Sequence, residues 1–439
     1  MTKLSKIQLK PGLHRESTQY EEEGKWFDGN HVRFRSGKPE NMRGYETKVS
    51  TAFDGSARDL LTYQSANNKK RAVFGTPDKL YAHNGDTITD ITPIVTAVTL
   101  ANVFGTSSGS TRVCCSDAGH GRAVGDYVYF TSTATFNAVS LSTNVYPVTS
   151  IVNSGVFTIS VTDAANATAS DVGSATFNYL LPTGNSIATG GLGYGAAAFQ
   201  ATVCASQTRA WNEAASADAS DIVFDISQWS LDNWGDDVVA NRNGGNIYYF
   251  DSDASTVPIR ATSITTSPIS VNSIVVSPND RHLICLGANS YSPTATVSGT
   301  FDPMLVRWSD QDDRTNWVPS LTTTSGEVVL TDGTKIIGGL RSRNAVHIWT
   351  DNAMWTMQFV GPPFTFRFTP VGTNCGMIAP HAAVDYNGIS YWMGYDNFYR
   401  YDGQVRVLDC TVRKFIFDRL ATKYKAKVYT GVNSEFKEI

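Results

Sequence analysis

The sequence predicts an all-β fold of the β-propeller class, with about six blades, a small inserted β-domain and a polar N-terminal arm. Three observations predict it. Short strands separated by tight-turn residues fill the stretch 335–409. The same arrangement of strand, turn and aromatic strand returns elsewhere at a spacing of roughly 45–60 residues, close to the ~40–50-residue period of propeller blades. Only 17% of the 439 residues are charged, and long apolar heptads are absent, which is typical of turn-rich β-proteins.

The stretch 335–409 reads as a meander of short strands. Segments such as "FYRYD" alternate large and polar side chains, as a half-buried sheet requires. The strands are separated at Asn387-Gly388, Asp396-Asn397 and Asp402-Gly403. Asn-Gly and Asp-Gly accept the positive φ angles of tight hairpins. The sequence therefore predicts one antiparallel sheet of about four strands here.

Residues 71–93, "RAVFGTPDKLYAHNGDTITDITP", repeat this pattern. Two glycines lie ten residues apart in this copy, at 75 and 85, and nine apart in the later one, at 394 and 403. We predict five equivalent blades, which contain the segments 71–93, 238–251, 282–310, 335–360 and 381–409. A β-sandwich is the alternative, but a sandwich would not require the repeat.

The predicted domain organisation follows from shifts in composition. Residues 1–50 form the arm, which has too little apolar content to fold alone and is expected to lie on the main body. Residues 51–94 contain the first blade, 95–181 form the inserted β-domain, and 182–439 contain the remaining blades. Residues 411–427 are the one predicted helix, and "VYTGVNSEFKEI" after it is expected to begin an incomplete sixth blade.

The charge balance disfavours a protein that grips nucleic acid through clustered cations. The chain has 36 basic and 40 acidic residues, a net charge of −4, and no Lys/Arg run longer than Lys69-Lys70-Arg71. DNA that slides past the protein remains compatible with this balance. The start of the chain has no apolar signal-peptide core, and no stretch approaches the ~18 apolar residues of a membrane span.

The six cysteines form no CxxC pair, and we interpret them as buried, reduced thiols of a chain made in a reducing cytosol. They are Cys114, Cys115, Cys204, Cys285, Cys375 and Cys410.

Two motifs look like sites but have structural interpretations. Gly191, Gly193 and Gly195 resemble a phosphate loop, yet no GK[ST] follows them, so we interpret them as turn or packing glycines. Asp310, Asp312 and Trp317 in "SDQDDRTNW" resemble the Asp-box turn of sialidase-type propellers, although Arg314 stands where that turn has glycine. We interpret the segment as a structural turn, with a calcium site as the alternative.

No catalytic, metal or cofactor residue is predicted. The seven histidines show no HxH, HExxH or i,i+4 spacing, and no GxSxG motif is present. They are His14, His31, His83, His120, His282, His347 and His381. Four aromatic residues of the meander are compatible with a sugar-binding platform or, as we prefer, with core packing. They are Trp392, Tyr395, Tyr399 and Tyr401.

Five long segments, in order, resemble the tail nozzle proteins of short-tailed bacteriophages, also called tail tubular or packaged-DNA stabilisation proteins. They begin with "IQLKPGLHRESTQY…EGKWFDGNHVRFRSGKPE" and "WSLDNWGDDVVANRNGGNIYYFD". "VRWSDQDDRTNWVP", "VHIWTDNAMWTMQFVGPPFTF" and "NGISYWMGYDNFYRYDG" follow. The resemblance spans nearly the whole chain except 95–181, which is similar to a variable insertion.

This resemblance implies a propeller subunit of a hexameric ring in the virion tail, assembled in the bacterial host cytoplasm. The expected partners are further copies of the chain, the head-to-tail adaptor of the portal, and a tail fibre, spike or tip protein. DNA would pass through the lumen without specific binding. The resemblance implies no catalytic residue and no cofactor, and the family pattern continues beyond the "SEFKEI" segment. The alternative function is a carbohydrate-binding or sialidase-like β-propeller.

Overall fold

A computed structural model describes residues 9–42, 44, 46, 47, 49, 51–66, 68–85, 87–182, 227–253, 260–294 and 299–439. The chain divides into two compact units. One consists of Met1–Ala52 together with Thr265–Ile439, and we call it the arm unit. The other, Phe53–Ile264, is called the barrel unit because it contains a closed β-barrel.

The arm begins the arm unit with two short ladders. Strands β1 (Lys10–Leu13) and β2 (Lys25–Trp26) pair in parallel. Strands β3 (Val32–Arg35) and β4 (Lys38–Asn41) form an antiparallel hairpin. The backbone N–H of Arg15 donates to the carbonyl of Thr411 at 2.8 Å, and Arg33 lies 3.5 Å from the ring centroid of Phe436. The arm is thus held against the C-terminal segment rather than by a core of its own.

The barrel unit starts with an antiparallel four-stranded sheet in chain order. Its strands are β5 (Asp59–Gln64), β6 (Lys70–Gly75), β7 (Leu80–His83) and β8 (Ile88–Asp90). The barrel follows, formed by β9 (Ile94–Thr106), β10 (Arg112–Ser116), β11 (Tyr127–Phe130), β14 (Val145–Asn153), β15 (Val156–Ser160) and β16 (Ala169–Leu180). A hairpin of β12 (Ala134–Phe136) and β13 (Val139–Leu141) interrupts it. The unit ends with the sheet β17 (Trp229–Trp234), β18 (Asp237–Arg242), β19 (Ile247–Phe250) and β20 (Thr262–Ser263).

The segment predicted as an inserted domain, 95–181, is the one that forms the barrel. Its first and last strands, β9 and β16, pair along most of their length, so the two ends of the segment lie side by side. Leu181 donates its backbone N–H to the carbonyl of Pro93 at 2.9 Å. The barrel encloses its own cluster of buried side chains, centred on Phe104, Phe157 and Phe177.

The arm unit continues with three antiparallel four-stranded sheets, each again in chain order. The first has β21 (Val271–Val276), β22 (Leu283–Asn289), β23 (Phe301–Trp308) and β24 (Gly326–Val329). The second has β25 (Ile336–Arg341), β26 (Val346–Thr350), β27 (Ala353–Gly361) and β28 (Thr365–Thr373). The third has β29 (Ala383–Tyr386), β30 (Ile389–Met393), β31 (Phe398–Tyr401) and β32 (Val405–Val407).

The fold class is all-β with the five four-stranded sheets of a β-propeller arrangement, as the sequence predicts. Each of the five predicted segments lies in its own sheet, and "KLYAH" and "FYRYD" both contribute third strands, β7 and β31. The predicted sixth blade is not found among the described residues. There, Tyr429 forms a bridge with His381, and Asn433 pairs with Glu438 in a tight loop.

The predicted helix over 411–427 is broken into two short pieces. Helix α1 spans Arg413–Phe417, and a 3₁₀ helix spans Thr422–Lys427. Ala421 between them has extended backbone angles, which interrupt the helical path. No helix in the described part of the chain has the length and apolar content of a membrane span.

Two local features explain why these residues form these sheets. Asn387 and Gly388 both have positive φ angles, 56° and 79°, and form the two-residue turn between β29 and β30 that Asn-Gly predicts. Gly75 ends β6 because the indole of Trp229 lies where a Cβ would be, only 2.2 Å away. The Trp229 indole N–H donates to the carbonyl of Thr76 at 2.8 Å, which joins the first sheet to β17.

The cysteine prediction is correct in part. Cys115, Cys285 and Cys375 are buried free thiols, and burial raises the pKa of all three, that of Cys375 to about 11. Cys410 is also free but only half-buried. Cys114, however, is disulfide-bonded, so the prediction of a reduced thiol is wrong at this position. Cys204 lies outside the described residues.

Candidate functional site

A cluster of hydrogen-bonded polar side chains lies where two loops of the sheet β21–β24 meet. One loop, 277–282, connects β21 to β22, and the other, 309–325, connects β23 to β24. The backbone N–H of Ser309 donates to the carbonyl of Leu283, and that of Asp312 donates to the carbonyl of Arg281. The loops therefore form one connected layer at this end of the sheet.

The second loop contains the turn that resembles an Asp-box. The backbone N–H of Asp310 donates to the carbonyl of Asn316 at 2.8 Å and closes the turn. One carboxylate oxygen of Asp310 accepts from the backbone N–H groups of Gln311 and Thr324. Trp317 is 2% exposed, and its indole N–H donates to the carbonyl of Arg314 at 2.8 Å. The carboxylate is thus used to hold the turn together.

Hydrogen bonding fixes the charge of Asp310. Partial burial alone would raise its pKa, but the hydrogen bonds from the Thr324 side chain and backbone and from the Gln311 backbone outweigh it. The pKa of Asp310 is therefore held below its ordinary value, and His282 lowers it further. Asp312, the other acidic residue of the motif, pairs with Arg281 at 2.9 Å on the surface.

The first loop supplies a buried chain of polar side chains. His282 is fully buried and Asp280 is 5% exposed. The imidazole Nδ1 of His282 is hydrogen-bonded to one carboxylate oxygen of Asp280, and the hydroxyl of Ser277 donates to the other. On its other side, Nε2 lies 3.0 Å from the hydroxyl of Thr324. The order Asp, His, Thr is the order of a nucleophilic triad.

The directions of the hydrogen bonds exclude that role. The hydroxyl of Thr324 lies 2.6 Å from the carboxylate of Asp310, which can only accept, so this hydroxyl donates its single proton there. Its oxygen accepts from the backbone N–H of Gln311 at 2.9 Å and from Nε2 of His282. Nε2 therefore carries a proton and is not a base toward Thr324.

The cluster is therefore a structural network in which every hydrogen-bonding group has a partner. The imidazole lies between the two carboxylates of Asp280 and Asp310, and its ring packs against Phe359 and Phe366 at centroid distances of 5.6 and 5.0 Å. Those two rings belong to the next sheet of the arm unit. A satisfied buried network of this kind stabilises one arrangement of loops and excludes water.

The aromatic residues considered for a sugar platform lie mostly in the core. Trp392 and Tyr399 are 2% and 7% exposed and stack on each other at 5.4 Å. Tyr401 packs against the ring of His347 at 5.2 Å. Only Tyr395 of the four is exposed, at 45%. The structure does not assemble these side chains into one open platform.

The remaining candidates do not converge on a site. Gly191, Gly193 and Gly195 lie outside the described residues. His120 is buried in a turn of the barrel, where Nε2 lies 3.1 Å from the carbonyl of Asn153. Within the described ranges, no three His, Cys, Asp or Glu side chains lie close enough together to hold a metal ion.

The Asp280–His282–Thr324 chain is not recognisable in the sequence because Thr324 lies 42 residues from His282. A partial signal exists in "SPNDRH", where Ser277, Asp280 and His282 occupy one turn between two apolar strands. Such spacing is typical of side chains that hydrogen-bond within a turn.

Comparison with known proteins gives no family assignment. No protein-family model and no curated protein matches the sequence. Among solved structures, the chain is similar to a phage phi92 endosialidase, with 14% identity, a TM-score of 0.23, and coverage of 81% of this chain and 55% of that one. It is also similar to an α-L-arabinofuranosidase from Fusarium graminearum, with 8% identity, a TM-score of 0.26, and coverage of 77% and 88%. We base the fold class on the strand order of this chain itself.

Proposed function

We propose that the chain is a structural virion protein, a subunit of the tail nozzle ring of a short-tailed bacteriophage. In this function the ring extends the channel of the portal and adaptor, retains packaged DNA and conducts it during ejection. The observation that carries the proposal is that five segments which resemble nozzle proteins follow one another in order along the chain and form strands and turns of the described sheets.

The segments that resemble nozzle proteins support the proposal through the elements they form. The first covers the arm strands β1–β4, the second the strands β17–β19, and the third the Asp310 turn. The last two form β26–β28 and β30–β31. The similarity therefore falls on scaffold elements, as it would in a family whose members share an architecture and no reaction.

The test is deletion of the gene from its phage, followed by imaging of the particles. We expect heads that package DNA and then lose it, with a tail that ends at the adaptor. Supplying the wild-type chain from a plasmid should restore both the tail and the retained genome. Particles that keep their genome and carry a complete tail without this chain would contradict the proposal.

A carbohydrate-active propeller is the second candidate, and the Asp310 turn is the observation that favours it. Its closure by Asp310 and its buried Trp317 are similar to the Asp-box of sialidase-type propellers. Glycosidase chemistry would additionally require paired carboxylates at a defined separation. Binding of the purified chain to a glycan array, abolished by excess of the same sugar, would favour this function over the nozzle.

A further inference from the structure

The net charge of −4 conceals an uneven distribution of charge. The arm unit contains 26 basic and 22 acidic residues, whereas the barrel unit contains 10 basic and 18 acidic residues. Much of the basic excess lies in residues 411–427, "TVRKFIFDRLATKYKAK", which have six Lys/Arg and a single Asp. Apart from Arg413-Lys414 these cations are separated by other residues, so a search for longer Lys/Arg runs does not find them.

Most of these cations have no acidic partner. We call Lys414, Arg419, Lys423, Lys425 and Lys427 the basic strip. In the described part of the chain, no carboxylate lies within salt-bridge distance of any of the five, whereas neighbouring Arg413 lies 4.0 Å from Glu16. All of the strip except Lys425 is exposed. An unpaired group of exposed cations attracts polyanions.

Aromatic rings are interleaved with the cations of the strip. The ammonium groups of Lys423 and Lys427 lie 4.8 and 4.6 Å from the ring centroid of Tyr424. Lys425 lies 5.3 Å from the ring centroid of Tyr395. Tyr424 and Tyr395 are 47% and 45% exposed. Cation–π contacts hold these ammonium groups in place without neutralising their charge.

We propose that the basic strip is a sequence-independent contact for the phosphate backbone of DNA. Lys423, Lys425 and Lys427 all lie in the 3₁₀ helix Thr422–Lys427. Lys423 and Lys427 share the ring of Tyr424, so these two charges lie close together. Exposed rings among cations also characterise surfaces that bind nucleic acid without reading its sequence.

The choice of DNA over an acidic protein surface rests in part on the proposed function, in which DNA is the polymer that passes the subunit. A few phosphate contacts per subunit give weak and salt-sensitive binding. Such contacts restrain a packaged genome and still exchange quickly when the DNA moves. A strip of this kind would add a weak, sequence-independent attraction for DNA to a channel that is expected to bind none specifically.

The experiment measures binding of the purified full chain to a short fluorescent DNA duplex by anisotropy over a series of salt concentrations. The test variant is Lys423→Gln/Lys425→Gln/Lys427→Gln. The matched control is Lys38→Gln/Lys69→Gln/Lys70→Gln, which removes three exposed lysines elsewhere. Thermal unfolding of each variant verifies the fold. We expect the test variant to bind roughly tenfold more weakly at low salt, and its salt slope to fall by about 0.9 for each lost phosphate contact.

Three results would overturn the proposal: no binding by the wild-type chain at low salt, unchanged binding by the test variant, or equal losses in both variants. Polyglutamate that competes as well as DNA at equal charge would assign the strip to an acidic protein surface instead. The result is separable from the nozzle test. If the chain does not bind DNA but is required for a tail that retains the genome, only the proposal for the basic strip is overturned. If the chain binds DNA through the strip but is dispensable for the tail, only the nozzle proposal is overturned.

Discussion

Two buried histidines of the arm unit differ in the hydrogen-bond partners of their ring nitrogens. His282 is hydrogen-bonded on both nitrogens, to Asp280 and Thr324. His347 on β26 is also buried, but its Nδ1 faces only the hydroxyl of Ser390, at 2.7 Å. Burial lowers the pKa of His347 to about 4, and the nearby carboxylate of Asp385 opposes this shift only partly. His347 is therefore neutral in the folded protein at ordinary pH.

This pKa predicts a specific loss of stability in mild acid. In the unfolded chain a histidine takes up a proton below pH ~6.5, whereas His347 in the folded chain does so only near pH 4. Between these values the unfolded state binds the extra proton, so stability falls as the pH falls. The loss of stability begins below pH ~6.5 and amounts at most to about 3 kcal/mol by pH 4.

The measurement compares the free energy of unfolding of the wild type and His347→Asn in denaturant from pH 7 to pH 4. Asn retains a polar group near Nδ1 and cannot titrate in this range. We expect the difference in stability between the two proteins to shrink as the pH falls. His31→Asn, which replaces an exposed histidine, is the control. Parallel pH profiles for wild type and His347→Asn would contradict the assignment.

At the scale of elements, the turns and central strands were predictable because their signals are local. Asn387-Gly388 specifies its turn through two positive φ angles, and "FYRYD" specifies a half-buried third strand through its alternation. Edge strands were less predictable, since a strand such as β24 (Gly326–Val329) is short and has no buried residue that would give it an alternating pattern. The sixth blade predicted to begin after residue 427 is not found among the described residues, where Tyr429 instead forms a bridge with His381. The helix predicted over 411–427 is divided into two short pieces at Ala421.

In the candidate site, too, contacts between residues close in sequence could be predicted, whereas contacts between distant residues could not. Asp310 and Trp317 could be recognised as a turn because the hydrogen bonds of the Asp310 carboxylate and the Trp317 indole lie within the same loop. The partnership of His282 with Thr324 could not, because it depends on how two loops of one sheet meet. The exposed basic strip was not recognised because most of its cations are separated in the sequence, and the shared contact of Lys423 and Lys427 with Tyr424 exists only after the segment folds.

We predict that the barrel can be removed without loss of cooperative unfolding. Its buried side chains form a cluster of their own, and its contacts to the neighbouring sheet include two cation–π pairs. These join Lys79 to Tyr127 and Arg260 to Tyr129, both at 4.7 Å. Both cations keep other partners after deletion, because Lys79 pairs with Asp54 at 2.7 Å and Arg260 with Asp90 at 3.2 Å.

The deletion joins Pro93 to Thr183 through a short Gly/Ser linker, and thermal unfolding of the shortened chain is compared with that of the full chain. The expected result is one sharp transition, lowered by the few lost contacts. A broad transition without cooperativity would mean that the barrel and the sheets of its unit share a core. The barrel unit contains both, so this measurement decides how independent the inserted segment is.

At the scale of the whole molecule, the two ends of the chain stabilise each other. Arg33 of the arm contacts the ring of Phe436 and the carboxylate of Glu438, the latter at 3.4 Å. Arg15 lies 3.9 Å from the ring centroid of Phe415. The sequence predicts that the arm lies on the main body, and the structure shows the arm packed against the C-terminal segment within a single chain. Assembly therefore does not need to create these contacts.

The last prediction concerns the ring itself. Rigid subunits with heterologous contacts form a closed ring when each contact turns the next copy by a fixed angle. Contacts that are stable alone bury about 1,200–2,000 Å², and smaller ones need a template. We expect the purified chain to sediment as a monomer or weak oligomer and to form a hexameric ring when the adaptor ring is added.

Analytical ultracentrifugation and negative-stain imaging of the same mixtures measure this assembly. The chain alone and the chain mixed with an unrelated ring protein are the controls. A stable closed ring without the adaptor would contradict templated assembly, and a monomer in its presence would contradict the nozzle assignment, because a channel extended by one subunit cannot enclose DNA.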